Sequence, residues 1–320
     1  MRKYAVKDAT QAFVTNFAKK RKNSGHSFRV GFKTKKHSTK VLKLEAAKMG
    51  VKIVDGRPRL VVGDARQRQL GREGISFDRR GEALVRDTKD PVLQIDDLGR
   101  FWLITVCTRQ PETQGQRTQG VVALDPGVRT FQTTYSPDGT SYKLGDTASN
   151  RVYRLLLVRD KYIGLAHMRG PSRRVRRSYG KKAAKIMARI QHIVDELHWK
   201  TARFLAQGWS EILIPVFGTA AMSKKYQASR AKRRCIGRKT TRQMLHLRHY
   251  TFRQRLHHVA KLTGTVVREV TEEYTSKTCG NCGEIKANLG GAKTYRCQEC
   301  GVCLDRDGNG ARNIFIKSVL

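Results

Sequence analysis

Val121-Val-Ala-Leu-Asp-Pro-Gly127 decides how this chain is read. Four apolar residues make a strand of the buried kind, and the strand ends on a carboxylate followed by Pro126 and Gly127, where the chain must turn away. A carboxylate at the end of a buried strand is costly unless it is paired or faces a cation. Asp125 is therefore the first candidate for chemistry.

Working outward from that strand, Thr130 to Tyr135 reads as a second strand, Ser136-Pro-Asp-Gly139 as a turn, and Ser141 to Leu144 as a short third strand. Arg154 to Met168 and Lys181 to Ala206 read as helices. In the latter, Ile186, Ile190, Ile193, Leu197 and Phe204 recur at three- and four-residue steps as one apolar stripe. Ile212 to Val216 is a fourth strand, a basic helix spans about Arg242 to Leu262, Thr265 to Val270 is a fifth strand, and Gly310 to Leu320 closes the chain as a helix. Three strands, then helix, strand, helix, strand and a last helix is the order of an RNase H-like α/β fold.

Upstream the pattern differs. Ala5 to Ala18 has helical spacing, and short strand-like runs follow at Phe28 to Phe32, Val51 to Val54, Leu60 to Val62, Pro91 to Ile95 and Phe101 to Val106. The polar stretch Gln110 to Gly120 reads as the linker between this β-rich part and the later α/β part.

The charge balance bounds the partner. There are 65 Lys and Arg against 26 Asp and Glu, a formal net charge of +39 over 320 residues. That charge would repel itself in a bare compact chain, and a bound polyanion removes the repulsion. The basic runs Lys19 to Lys22, Lys33 to Lys36, Arg173 to Arg177 and Lys232 to Arg234 are dispersed, which suits several surfaces gripping one long or folded nucleic acid. Each run alone reads as a solvated face, or the first as a nuclear import signal. No apolar run approaches the roughly 20 residues of a bilayer span, and the N-terminal stretch is polar and basic rather than a secretion signal.

Four of the seven cysteines form two pairs, Cys279-Gly-Asn-Cys282 and Cys297-Gln-Glu-Cys300, 14 residues apart and each followed by glycine. Two such turns deliver the four soft ligands that tetrahedral zinc takes, and a closed four-thiolate site is structural rather than chemical. Cys303 reads as a bystander or a substitute ligand; Cys107 and Cys235 read as ordinary positions. Around this ribbon lie the remaining acids of interest: Glu272 and Glu273 before it, Asp305 and Asp307 after it. Three acids from distant segments of such a sheet are what two-metal phosphodiester hydrolysis requires, with magnesium ions roughly 4 Å apart. The competing reading of Asp305 and Asp307 is an N-cap for the last helix.

Val122-Ala-Leu-Asp-Pro-Gly-Val-Arg-Thr-Phe131, Tyr274-Thr-Ser-Lys-Thr-Cys-Gly-Asn-Cys-Gly283 and Asp305-Arg-Asp-Gly-Asn-Gly-Ala-Arg-Asn-Ile314 resemble the three motifs of the TnpB and Fanzor nucleases, in the family's order. The resemblance runs from about residue 28 to the C-terminus. It implies an α/β fold in which an RNase H-like (RuvC) nuclease domain carries an inserted zinc ribbon and follows a β-rich wedge domain with a helical N-terminal piece. Its boundaries would be 1–27 helical, 28–115 wedge, 116–275 nuclease, 276–303 ribbon and 304–320 the nuclease C-terminal part. It also implies an RNA-guided, magnesium-dependent DNA endonuclease. Its partners would be an omega-type guide RNA from the mobile element and double-stranded target DNA, with no protein oligomer implied.

Residue by residue, the resemblance makes Asp125 the first catalytic acid and Asp307 the third, with Asp305 its rival. The bacterial middle acid falls on the strand Ile212 to Phe217, where Pro215 stands instead and can bind no metal. Glu211 lies at the other end of that strand, roughly 13 to 20 Å away. The Fanzor branch has a similar proline strand and an acid before the Thr-Ser-Lys-Thr-Cys stretch, which makes Glu272 the substitute, Glu273 second, and the nucleus the expected location. Family members usually carry more wedge and recognition structure before the segment resembling residues 2–22; either this protein is reduced or its start lies outside this sequence. Two other readings remain: an RNA-guided binder that is catalytically inactive, and a guide-independent RuvC-type nuclease.

Overall fold

The computed structural model describes residues 2–29, 119–223, 236–287 and 289–319, together with shorter pieces at 40–43, 51–54, 57–61, 74–76, 92–96, 98–104, 226–227 and 230–233. The chain divides into two compact units, Met1–Arg109 and Gln110–Leu320.

In the first unit, helix α1 spans Arg2–Lys22. Strands β1 (Lys40–Lys43), β5 (Val92–Ile95) and β6 (Phe101–Ile104) form one antiparallel sheet in the order β1-β5-β6. Strands β2 (Val51–Val54), β3 (Arg57–Val61) and β4 (Gly74–Ser76) form another. Of the expected strand at 28–32, Phe28 and Arg29 are described and are not strand, while 30–32 and most of the expected linker, 110–118, lie outside the described residues. The linker's last two residues, Gln119 and Gly120, are strand instead.

The second unit is built on a five-stranded mixed sheet. Its strands are β7 (Gln119–Pro126), β8 (Gln132–Tyr135), β9 (Lys143–Leu144), β10 (Trp209–Pro215) and β13 (Val266–Val270), in the spatial order β13-β10-β7-β8-β9. β7, β10 and β13 run parallel, while β8 and β9 are antiparallel additions. A small hairpin, β11 (Tyr226–Gln227) with β12 (Arg230–Arg233), intervenes between β10 and β13 in the chain.

The helices are α2 (Ala148–His167), α3 (Arg173–Gly208), α4 (Thr219–Ser223), α5 (Arg238–Leu247), α6 (His249–Thr263) and α7 (Arg306–Val319). Alternation along the central strands sorts them onto two faces. Val122, Leu124, Ile212 and Ile214 join Ala202, Leu205, Leu247, Phe252 and Leu256 of α3, α5 and α6 in the main core. Ala123 and Leu213 turn the other way and meet Ile314 of α7. Each fully buried large apolar side chain contributes about 1.5–3 kcal/mol, so the two-faced pattern fixes the register of β7 and β10. A one-residue slip would exchange the faces. Asp125 shares the parity of Ala123 and so faces α7.

Two sequence expectations are corrected here. The basic helix over 242–262 is two helices, because Arg248 adopts a left-handed backbone (φ 50°) between α5 and α6. Its guanidinium is held by Asp195 of α3, a partner that local sequence does not reveal. On α3 the buried stripe runs through Ile190, Val194, His198, Thr201, Ala202 and Leu205, whereas Phe204 is 40% exposed with its ring edge-on to Tyr142 and Trp209. His198 is fully buried: one ring nitrogen lies 2.8 Å from the Leu247 carbonyl, and burial pushes its pKa down to about 4, so it is a neutral core residue.

Candidate metal centres and nucleic-acid cleft

The C-terminal ends of the parallel strands carry the acidic site. The register pairs Leu213 with Ala123 and Pro215 with Val270. Two residues further along each parallel strand, Pro215 therefore stands level with Asp125 and on the α7 face. The neighbouring strand offers no carboxylate at that height. Glu211, four residues back, pairs with Val121 and forms an ion pair with Arg268 at 2.9 Å.

The chain supplies acids from β13 and α7 instead. Glu272 follows β13 in a turn that Thr275 closes: its backbone N–H and its hydroxyl both donate to the Glu272 carbonyl, at 3.3 and 2.9 Å. Tyr274 within that turn takes a left-handed backbone (φ 65°). The adjacent Glu273 points away, exposed, and accepts from Lys317 at 2.9 Å. Asp305 and Asp307 likewise separate. Asp305 accepts the Gly308 N–H at 3.0 Å, the helix-capping role, and Lys143 at 2.7 Å. Asp307 lies in the first turn of α7 and opens on the same cleft as Asp125 and Glu272.

That cleft has a volume of about 790 Å³ and is lined by Asp125, Glu272, Asp307, Asp146 and Ser276 together with Arg129, Lys239, Lys293 and Arg306. Burial pushes the Asp125 pKa up to about 8, with the charges of Asp307 and then Glu272 adding to it against Arg306. Burial also raises Glu272, with help from Glu273. Burial acts to raise Asp305 too, but its bonds to Lys143 and Gly308 prevail and its pKa is lowered. Asp125 and Glu272 thus stand where negative charge is disfavoured without a cation, the situation of a metal-binding carboxylate.

The four cysteines of the two CxxC turns bring their sulfurs within 4.8 Å of one another, with Cys279 to Cys300 at 3.7 Å and Cys282 to Cys297 at 3.6 Å. Zn–S bonds of about 2.3 Å in a tetrahedron place sulfurs about 3.8 Å apart, so the set fits zinc. Cys303 is exposed on β15 (Cys303–Asp305), opposite Arg296 of β14 (Thr294–Arg296), and does not belong to the cluster. Cys107 and Cys235 lie outside the described residues.

Sequence reading missed how the ribbon is fastened to the five-stranded sheet and α7. Asn309 donates to the Thr278 carbonyl at 2.8 Å and accepts the Gly280 N–H at 2.9 Å. Asn313, one helical turn on, donates to the carbonyls of Thr275 and Thr278 at 2.8 and 2.7 Å. Arg129 and Arg306 hold the ribbon loop through the Gly291 and Gly290 carbonyls, at 2.7 and 3.0 Å, which keeps Lys293 at the cleft. The i, i+4 asparagines in the last motif were the available signal.

The class defined by this fold and site is a mixed-sheet α/β domain with an acidic cleft at its strand ends and a four-cysteine ribbon pinned beside it. The family model described as Cas12f1-like, TNB domain, matches residues 249–314. Putative transposase A625R of Paramecium bursaria Chlorella virus 1 is 32% identical over 99% of this chain and 68% of its own length. TnpB-like protein L770 of Acanthamoeba polyphaga mimivirus is 28% identical over 74% of this chain and 45% of its own, so this chain spans less than half of that relative. Among solved structures, the cryo-EM complex of Cas12f1 with sgRNA and target DNA superposes with a TM-score of 0.51 at 13% identity, covering 95% of this chain and 69% of that one, a likeness of fold. The chain belongs to the TnpB/Cas12f-like family.

Proposed function

We propose that this protein is an RNA-guided DNA endonuclease that hydrolyses phosphodiester bonds in an RNase H-like (RuvC) site with Asp125, Glu272 and Asp307. The observation that carries the proposal is that these three acids, from segments far apart in sequence, open on one cleft in which Asp125 is driven up to about 8 by burial and by the other two. They would hold magnesium, which when bound supplies an activated water and stabilises the leaving oxygen. Arg129, Lys239 and Lys293 on the cleft walls offer positive charge to the phosphates on either side of the cut.

Guidance by RNA is supported by family membership and by the charge of +39. Cas12f1 of Sulfoacidibacillus thermotolerans, a CRISPR-associated endodeoxyribonuclease, is 33% identical over 22% of this chain. The protein would hold a guide–target heteroduplex by its backbone while base pairing reads the sequence. The proline at the height of Asp125, with the acid moved to Glu272, favours the Fanzor branch, an omega-type guide and action in a nucleus. Zinc would lock the ribbon and take no part in cutting.

The test is to express the protein beside its native flanking DNA and sequence the RNA that copurifies. One dominant species, with a constant structured part from the gene's flank and a variable end, is expected. A smear of unrelated RNA would favour the guide-independent nuclease. Pro215 is the observation behind one more reading, a guided binder without activity. Magnesium-dependent cutting of a matched duplex excludes it.

A further inference from the structure

A second cavity, of about 260 Å³, lies beside the acidic cleft and shares Pro126 and Phe217 with it. Its walls are mostly flat or apolar: Pro126, Pro215, Phe217, Tyr250 and Phe252. The ring of His249 closes one side, tilted against Phe217 at 4.8 Å between centroids. Burial holds this imidazole neutral, with its pKa pushed down to about 3. Arg253 also lines it, paired with Glu269 at 3.2 Å, and two polar side chains, His249 and Gln132, stand against such walls without a hydrogen-bond partner among the described residues. Gln132 lines the cavity, is 1% exposed, and has no hydrogen-bond partner among the described residues for either its amide nitrogen or its amide oxygen.

A buried primary amide with both ends unmade is expensive, and chains retain such a group where a ligand completes it. The missing partner must be flat, largely apolar, and carry a donor and an acceptor side by side on one edge. A nucleobase has that description: aromatic and apolar walls take its faces, and a glutamine amide pairs its edge in two directions. Gln132 pairs with Pro126 and so faces away from Asp125, but the cavity and the cleft meet at the strand end through Pro126 and Phe217, which a strand bound at Asp125 would round to place a neighbouring base.

The geometry points to a nucleobase pocket: the cavity around Gln132 takes the unstacked base of a nucleotide flanking the scissile phosphate and orients the strand for cutting. This deepens the nuclease reading and rests on it. Gln132 is here a positioning residue for the substrate strand, one sheet position from the chemistry.

The test uses the guide-loaded protein and matched DNA in which each nucleotide near the cut is in turn made abasic. For the wild type, one flanking position is expected to lower the single-turnover cleavage rate about tenfold, the worth of a net hydrogen bond. Gln132→Leu with intact DNA is expected to show the same loss, and the abasic site to add nothing further. Gln132→Leu should melt no lower than the wild type, because it removes an unpaired buried amide. Wild-type cutting indifferent to every abasic position, or abasic and Gln132→Leu losses that multiply, overturns the pocket and assigns the cavity to water. If the wild type cuts nothing, the nuclease reading fails on its own account. The pocket is then decided by DNA binding with 2-aminopurine placed at each position. A fluorescence change at one position that Gln132→Leu abolishes upholds it; no change at any position refutes it.

Discussion

A β-carbon at residue 310 would stand 2.7 Å from Oδ2 of Asp125, so the Asp125 carboxylate and the glycine of α7 are in a contact that no other residue type allows. That approach sets how deep α7 sits on the sheet, and with it the distance of Asp307 from Asp125. Glycine in a helix interior ordinarily costs up to about 1 kcal/mol relative to alanine; here the cost is accepted for proximity.

Gly310→Ala is therefore expected to displace Asp125 and to lower cleavage by about 100-fold, the scale of a misplacement near 1 Å. Gly308→Ala is the control, since its β-carbon would meet Asp305 at an ordinary 3.6 Å and its N–H still caps onto that residue. Single-turnover rates of the two variants check this. Equal rates would mean that α7 does not set the acid spacing.

The raised pKa of Asp125 makes stability depend on pH in a definite direction. A carboxyl lifted from 3.8 to about 8 favours folding while it is protonated. That contribution is complete below about pH 4 and is lost as pH rises through 8. Metal-free protein should lose stability across that window, by something of the order of a few kcal/mol. Magnesium should restore it at pH 8, and Asp125→Asn should flatten the profile and blunt the magnesium effect. Thermal melts at pH 5 and pH 8, with and without magnesium, decide it.

The two asparagines of the last motif are fasteners. Asn313→Asp would set a carboxylate against the carbonyls of Thr275 and Thr278 in place of an amide donor. The stability loss should be at least about 1–3 kcal/mol, the cost of buried groups left unpaired. A urea midpoint equal to that of the wild type would show that the ribbon is held elsewhere.

The sulfur cluster predicts one zinc per chain. Cys297→Ser, at a buried ligand position, should lose the metal and expose the segment around Tyr295, whose hydroxyl donates to the Lys277 carbonyl at 3.0 Å. Cys303→Ser should keep it. Metal content together with limited proteolysis between residues 276 and 303 separates the two outcomes.

Much of this site could be read from sequence, because its signals are local. The CxxC turns name four thiolates by spacing alone, and an apolar run ending in Asp-Pro-Gly marks a carboxylate at a strand end. The choices between Glu272 and Glu273, and between Asp305 and Asp307, could not be read that way. In each pair the two acids lie within two residues of each other. What separates them is a lysine brought by another element, Lys317 to Glu273 and Lys143 to Asp305. The break at Arg248 was hidden for the same reason: its left-handed backbone is secured by Asp195, 53 residues away. Gln132 gave no sign at all, since a polar residue in a strand reads as a solvent-facing one until both of its faces are seen to be covered.

In the proposed function, Asp125, Glu272 and Asp307 cut DNA chosen by a bound RNA. The most direct test incubates the RNA-loaded protein with magnesium and two duplexes, one matching the variable end of that RNA and one scrambled, beside the Glu272→Ala variant. Cutting of the matched duplex alone is expected, abolished by Glu272→Ala while binding of the matched duplex persists. Cutting of both duplexes, or undiminished cutting by Glu272→Ala, would contradict it.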